Sequence, residues 1–147
     1  MIDNELFENL KKIMPNAEFP APFAKQFNME FIEFRKGHAN AKVTVNKAWT
    51  NPFGIAHGGF LFTLLDEILG TACCSMLTKP IYADIKALST TNHDIFFHSP
   101  AKIKDTLIIK GHVLSARKNM IFVEGHIEQE TGGELVAKSK GIWFVKR

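Results

Sequence analysis

The chain has 147 residues, of which 46% are hydrophobic and 22% charged, and its formal net charge is +3. This length is typical of one domain, and the 13 phenylalanines exclude the low apolar content of a disordered chain. The basic residues are scattered, so the mild charge gives no indication of nucleic-acid binding. The two cysteines, Cys73 and Cys74, are adjacent and unsuited to a disulfide, which favours a reducing, cytoplasmic setting. We expect one domain over residues 1–147.

The first 24 residues are predicted to form a short helix and a proline-containing connector. Asp3 or Asn4 can cap an amphipathic helix that ends before Pro15. Pro20 and Pro22 then keep the connector irregular. The acidic, polar start of the chain is the wrong order for a secretory signal, so the mature protein is expected to begin near its first residue.

Two β-rich segments and a long helix are predicted next. The segments FNMEFIEFR and ANAKVTVNK flank a hairpin turn at residues 36–38, and a loop rich in turn-forming residues follows. A helix is predicted from about Gly58 to Met76, apolar on nearly all sides and therefore enclosed by protein. Asp66 and Glu67 lie at the centre of this apolar stretch, which argues against a membrane span.

The remainder is predicted to form four strands connected in sequence. They span Lys86 to Phe97, Ala101 to Ser115, Met120 to Gln129 and Glu134 to Lys146. Residues 131–133, Thr-Gly-Gly, mark one hairpin. Two strands, one apolar helix and four more strands predict an α+β fold with an antiparallel sheet curled around the helix. One helix cannot cover such a sheet, so a second subunit is expected to complete the apolar surface.

One cluster of residues points to chemistry, from the loop before the long helix into its middle. Its members are Asn51, His57, Gly58, Gly59 and Asp66. Free N–H groups at a helix start, unobstructed by side chains at the two glycines, can bind and polarise a carbonyl oxygen. A carboxylate within an apolar helix is costly unless it is paired, solvated or used, which favours a functional role for Asp66.

The spacing of this cluster predicts a site shared between subunits. Gly58 and Asp66 are eight residues apart, or roughly 12 Å along a helix. One chain cannot bring both to one reacting atom. Two such helices packed antiparallel about a two-fold axis place Gly58 of one subunit beside Asp66 of the other, so we expect a dimer.

The combination of this cluster with the later sequence FHSPAK, residues 97–102, resembles the hotdog-fold acyl-CoA thioesterases of the PaaI-like type. The resemblance covers the chain from about Val43 to its C-terminus. It implies a curved antiparallel sheet wrapped around one long helix, and dimers that often pair into tetramers. It also implies hydrolysis of an acyl-CoA to a free acid and coenzyme A, without a metal or cofactor.

Carried over by position, the resemblance implies that Gly58 supplies the oxyanion N–H, while His57 and Asn51 orient the loop. Asp66 is implied as general base or nucleophile. Alignment on the Ser-Pro-Ala turn implies that Thr90, rather than Thr91, helps to hold the attacking water. The next polar pair on this strand, His93 and Asp94, is expected at a solvated sheet edge.

Further contacts with the substrate are expected from five residues at the helix start, in the strand and at turns: Gly59, Thr91, Lys102, Arg117 and Lys118. The three cations are candidates for the coenzyme A phosphates.

Two alternatives stay open at this point. A hotdog hydratase or dehydratase acting on the same thioesters also pairs a histidine with a helix carboxylate, and a non-catalytic acyl-CoA-binding module keeps the same pocket. The six histidines show no spacing typical of metal ligands, and Cys73 and Cys74 lack the neighbours that activate a nucleophilic thiol.

Overall fold

A computed structural model describes all residues, 1–147, and contains one six-stranded antiparallel sheet with a long helix packed against it. The strands are β1 Glu30–Arg35, β2 His38–Thr44, β3 Ala87–Phe97, β4 Thr106–Ala116, β5 Met120–Gln129 and β6 Leu135–Lys146. The helices are α1 Asn4–Ile13, α2 Pro22–Lys25 and α3 Gly58–Cys74, with short 3₁₀ turns at Lys47–Trp49 and Pro80–Tyr82. The strand order is β1-β2-β4-β5-β6-β3. The predicted α+β fold, a sheet around one central helix, is confirmed.

The helix α3 packs closely on the sheet because two glycines face it. Gly111 of β4 pairs with Gly125 of β5. A Cβ at Gly125 would lie 2.6 Å from the Lys110 carbonyl oxygen and 3.0 Å from a methyl carbon of Leu69. Only glycine leaves room for α3 at this point.

None of the helices is both long and apolar enough to cross a membrane.

The two edges of the sheet differ in whether their outer backbone groups are covered. At β1 the N-terminal residues cover the edge: the Phe34 N–H donates to Met1, and the Asp3 N–H donates to Phe34, at 3.0 and 2.8 Å. Asp3 also caps α1, its Oδ1 accepting from the Leu6 N–H at 2.9 Å. At the opposite edge β3 pairs only with β6, so its outer backbone groups are open. Open edges of this kind invite pairing with another chain.

The structure differs from the sequence predictions in several places, and three of these differences have a clear local cause. The helix α3 ends at Cys74, before Met76, because the Ser75 hydroxyl bonds the Ala72 carbonyl and accepts the Gly37 N–H of the first hairpin. The strand expected from Ala101 begins at Thr106 instead. The Asp105 carboxylate accepts the Lys102 N–H at 2.8 Å, and Lys104 has a φ of +73°, so this stretch turns rather than extends. The connector also contains a short helix, α2, with Pro22 at its first position.

Candidate active site

Asn51 organises the loop that precedes α3. Its Oδ1 accepts hydrogen bonds from the N–H groups of Phe53, at 2.9 Å, and Ile55, at 3.4 Å. The Asn51 N–H donates in turn to the Ile55 carbonyl at 2.8 Å. Gly54 turns the chain between them with a φ of +74°, which side chains rarely tolerate. Asn51 therefore fixes the course of the chain into the helix.

His57 is the N-cap of α3. Its Nδ1 accepts the Gly59 N–H at 2.9 Å, and its backbone N–H donates to the Trp49 carbonyl at 2.8 Å. An accepting Nδ1 carries no proton, so Nε2 holds the hydrogen of the neutral ring. The Gly58 N–H has no hydrogen-bond partner. It is a free donor at the positive end of the helix, suited to an oxygen that gains negative charge.

A cavity of about 400 Å³ adjoins this helix start. Its wall includes Asn51, Gly58, Leu61 and Phe97. The Phe97 ring packs against the helix, and a Cβ at Gly58 would lie 3.3 Å from the ring Cζ. Glycine at this position thus allows an aromatic wall and a bare backbone N–H side by side.

Asp66 lies on α3 beside β3, outside this cavity. Its Oδ1 accepts a hydrogen bond from the Thr90 hydroxyl at 2.9 Å and lies 3.5 Å from His93 Nδ1. Burial raises the pKa of Asp66, but the nearby His93 ring and the hydrogen bond from Thr90 together bring the pKa below its ordinary value. The Oδ2 atom makes no hydrogen bond, and the side chain is 42% exposed. Asp66 is thus an ionised carboxylate with one oxygen held and one available.

A β-bulge aims two side chains of β3 at Asp66. Thr90 pairs with Trp143 of β6 and Asn92 pairs with Ile142, so Thr91 is the extra residue. With that extra residue, Thr90 and His93 face α3 together, although three positions apart they would face opposite sides of a regular strand. The expectation that His93 lies at a solvated edge is therefore wrong: its side chain is 2% exposed, while Asp94 is exposed.

The residues predicted to act together thus form two groups in the chain. Asn51, His57 and Gly58 form one group at the start of α3, and Asp66 and Thr90 form the other, two turns further along. Helix geometry separates Gly58 from Asp66 by roughly 12 Å. One chain does not bring them to one reacting atom.

The residues predicted to contact substrate are all exposed and are distributed over both ends of the molecule. Gly59 gives its N–H to His57, and Thr91 is the bulge residue. Lys102 lies near the cavity, where its strand bridge joins it to Ile55. Arg117 and Lys118 form the β4–β5 turn. Thr90 of β3 and Ala116 at the end of β4 are in register, with β6 and β5 between them. Three strand spacings therefore separate this turn from Thr90, a distance of roughly 14 Å.

The two cysteines are not activated. Burial is the largest cause that raises the pKa of both the Cys73 and the Cys74 thiols, far above neutral pH. Two contacts of the site were not predicted from sequence. The packing of Phe97 on Gly58 has no sequence signal, and His93 was assigned to the wrong face because the bulge has no clear sequence signature.

The fold and this arrangement of a free helix N–H and a helix carboxylate define the class of hotdog thioesterases. The thioesterase superfamily matches residues 53–136, more than half of the chain. The chain belongs to this superfamily, whose members are thioester hydrolases.

Relatives and solved structures agree with this assignment. The mouse acyl-coenzyme A thioesterase 13 is 28% identical over 101 residues, which are 67% of this chain and 66% of that protein. A Streptococcus mutans protein solved with acetyl-CoA bound is 28% identical, with a TM-score of 0.72 over 81% of this chain and 89% of that one. The Escherichia coli PaaI protein shares the fold over 100% of this chain and 97% of its own, with a TM-score of 0.81 at 22% identity.

Proposed function

We propose that the protein hydrolyses acyl-CoA thioesters to a free acid and coenzyme A. The observation that carries the proposal is the pairing of an unpartnered Gly58 N–H at a helix start with an ionised Asp66 whose Oδ2 is free. A thioester carbonyl is already electrophilic and a thiolate leaves readily. One polarising donor and one base therefore suffice, with no metal or cofactor. The acyl-CoA thioesterase among the relatives and the relative with bound acetyl-CoA support the same substrate class.

The proposed active unit is a homodimer in which each site takes Gly58 from one subunit and Asp66 from the other. The roughly 12 Å between these residues requires a second chain. The open outer edge of β3 supports pairing there with a second copy, and so do the exposed rings of Phe96 and Phe97 on the same strand. The β1 edge is already covered by the N-terminus, so β3 is the edge available for this pairing.

In the proposed reaction, Asp66 takes a proton from water as the water oxygen bonds to the thioester carbon. The carbonyl oxygen becomes an oxyanion and accepts the Gly58 N–H of the other subunit. Collapse of this intermediate breaks the carbon–sulfur bond, and the coenzyme A thiolate recovers the proton. Direct attack by Asp66, followed by hydrolysis of the anhydride, uses the same groups and gives the same products.

The coenzyme A phosphates are proposed to contact Lys102 near the Gly58 end of one subunit. In the shared site, the Gly58 end of one subunit lies beside Asp66 and Thr90 of the other. Only this arrangement makes Arg117 and Lys118 of that other subunit candidates for contacts with the phosphates. Charge reversal at each position, read as a rise in KM with kcat unchanged, assigns the phosphate contacts.

The direct test is release of free coenzyme A from a panel of acyl-CoAs, followed with a thiol reagent. The proposal expects hydrolysis with no added metal. Water addition to an enoyl-CoA without thiol release would favour the hydratase alternative, and binding without either reaction would favour an acyl-CoA-binding module.

A further inference from the structure

His93 occupies an unusual position for a histidine on an edge strand. Its ring lies between Phe62 of α3 and Trp143 of β6, with centroid distances of 4.4 and 5.7 Å. Neither ring nitrogen has a hydrogen-bond partner, although the side chain is 2% exposed. A buried polar group left in this state costs stability, so this position disfavours histidine unless the ring has a use.

The surrounding structure is built to hold this ring against Asp66. The bulge at Thr91 turns His93 toward α3, and its partner across the strands is Gly141, which has no side chain to obstruct the space. A Cβ at Gly141 would lie 2.6 Å from the Trp143 ring. The ring of Trp143 can therefore fold over Gly141 and form one wall of the His93 pocket.

Asp66 is the charged partner within reach of the His93 ring, at 3.5 Å. On α3 the next carboxylate is Glu67, whose pKa is raised by burial in spite of a hydrogen bond from the Ala21 backbone. On β3 and β6 the nearest charged residues are Asp94 and Lys140, which pair with each other one position away and so face the outer side of the sheet. The electrostatic effect of His93 is thus directed at Asp66.

We propose that His93 is a positioning residue that orients the Asp66 carboxylate for attack. The inference rests on the proposed hydrolysis. The Thr90 hydroxyl and the His93 ring both lie at Oδ1, which fixes the rotation of the carboxylate and leaves Oδ2 as the oxygen that meets water. The aromatic rings on either side keep His93 in one orientation, and His93 in turn holds the Asp66 carboxylate in place. Little conformational entropy is therefore lost when the carboxylate reacts.

Three variants test this role: His93→Phe, His93→Asn and, as a control, His112→Asn. Phenylalanine keeps a ring between the two aromatic walls but has no polar atom. Asparagine places an amide nitrogen near the position of Nδ1. His112 lies on the outer face of the sheet beside Glu124, at 3.2 Å, because its neighbour Gly111 faces α3. Each variant is assayed for kcat and KM against pH with the best acyl-CoA of the panel, for the titration of the Asp66 carboxyl by carbon-13 NMR, and for thermal unfolding.

For His93→Phe we expect kcat to fall by roughly tenfold to a hundredfold with KM nearly unchanged. The pKa of Asp66 should rise, since burial still raises it and one lowering partner is gone, so the acidic limb of the rate profile moves to higher pH. The melting temperature should hold or rise, because an apolar ring replaces two unpartnered nitrogens. His93→Asn should recover part of kcat, and His112→Asn should match the wild type.

Unchanged kcat and unchanged Asp66 titration in His93→Phe would overturn the inference. A loss of activity that parallels a loss of melting temperature, with no recovery in His93→Asn, would overturn it as well, since that pattern is structural. If His93→Phe does not fold, His93→Leu takes its place in the same comparison. If the wild type hydrolyses no acyl-CoA, the proposed function fails on its own, and the NMR titration still decides whether His93 controls the Asp66 carboxylate.

Discussion

The Thr90 hydroxyl donates a 2.9 Å hydrogen bond to Asp66 Oδ1 and thereby joins the open edge strand to the central helix. A carboxylate that accepts such a bond is stabilised in its charged form. The contact therefore does two things at once. It lowers the pKa of Asp66 against the effect of burial, and it leaves a single carboxylate oxygen free for chemistry.

Replacing Thr90 with valine keeps the shape of the side chain and removes this donor. We expect the pKa of Asp66 to rise, so that activity is lost at a higher pH as the solution is acidified. At neutral pH kcat should fall by roughly tenfold, the scale of one hydrogen bond to a charged group. Thr44→Val removes a hydroxyl pair with Thr106 on the far strands and should leave the rate profile unchanged. A profile for Thr90→Val that overlays the control contradicts the role given to Thr90.

Replacing Asp66 with asparagine should remove hydrolysis while preserving the fold and acyl-CoA binding. The amide keeps the volume of the side chain but cannot accept the proton from water, so kcat should fall at least about a hundredfold. Glu67→Gln is the matched control on the next residue of the same helix. Binding is measured by calorimetry with a slowly hydrolysed acyl-CoA. If Asp66→Asn loses only a few-fold activity, Asp66 is not the base.

Two variants of His57 distinguish a structural role for this residue, as the N-cap of α3, from a direct role in the reaction. His57→Ala removes the acceptor of the Gly59 N–H and should cost about 1 kcal/mol of stability, measured by denaturant unfolding. His57→Asn restores an excellent cap. If His57 only shapes the helix start, the asparagine variant recovers most of the activity and keeps the pH profile. An asparagine variant as inactive as the alanine variant, with the fold intact, would assign the imidazole to the reaction itself.

Much of this fold was predictable because its largest elements obey simple periodicities. The alternation of inward and outward side chains in β5 predicts a strand, and the apolar run with Asp66 at its centre predicts the long helix. Both elements are present in the structure. The loop before Thr106 was not predictable, since it depends on the Asp105 carboxylate capping a turn in a segment whose alternation of apolar and charged residues is typical of a strand. The position of His93 was not predictable either. One extra residue in β3 reverses the face of every side chain after it, and alternation alone cannot show where that residue is.

The candidate site was predictable as a list of residues but not as a set of contacts. The glycine pair and the carboxylate within an apolar helix are unusual enough to be noticed in sequence. The hydrogen bonds of Asn51 within its loop and the packing of Phe97 on Gly58 depend on tertiary structure. The separation of Gly58 from Asp66 follows from helix geometry alone, so the sequence is enough to predict a site shared between subunits.

The shared site predicts that two inactive variants restore each other. Gly58→Val blocks the oxyanion donor, since even a Cβ there meets the Phe97 ring at 3.3 Å. Asp66→Asn removes the base. After subunit exchange, about half of the dimers are mixed, and each mixed dimer holds one intact site and one doubly damaged site. Activity should therefore return to at most about a quarter of wild type.

A mixture of wild type with a chain that carries both substitutions supplies the control, and its activity can contradict the shared-site model. A chain carrying both Gly58→Val and Asp66→Asn damages each of the two sites it shares with a wild-type subunit. An equal mixture with wild type should then retain about a quarter of full activity, contributed by wild-type dimers alone. If each chain instead held its own complete site, the mixture would retain about half. The pair of measurements, with exchange verified by mass spectrometry, distinguishes a site built across two helices from one in which a single chain bends Asp66 back to its own loop.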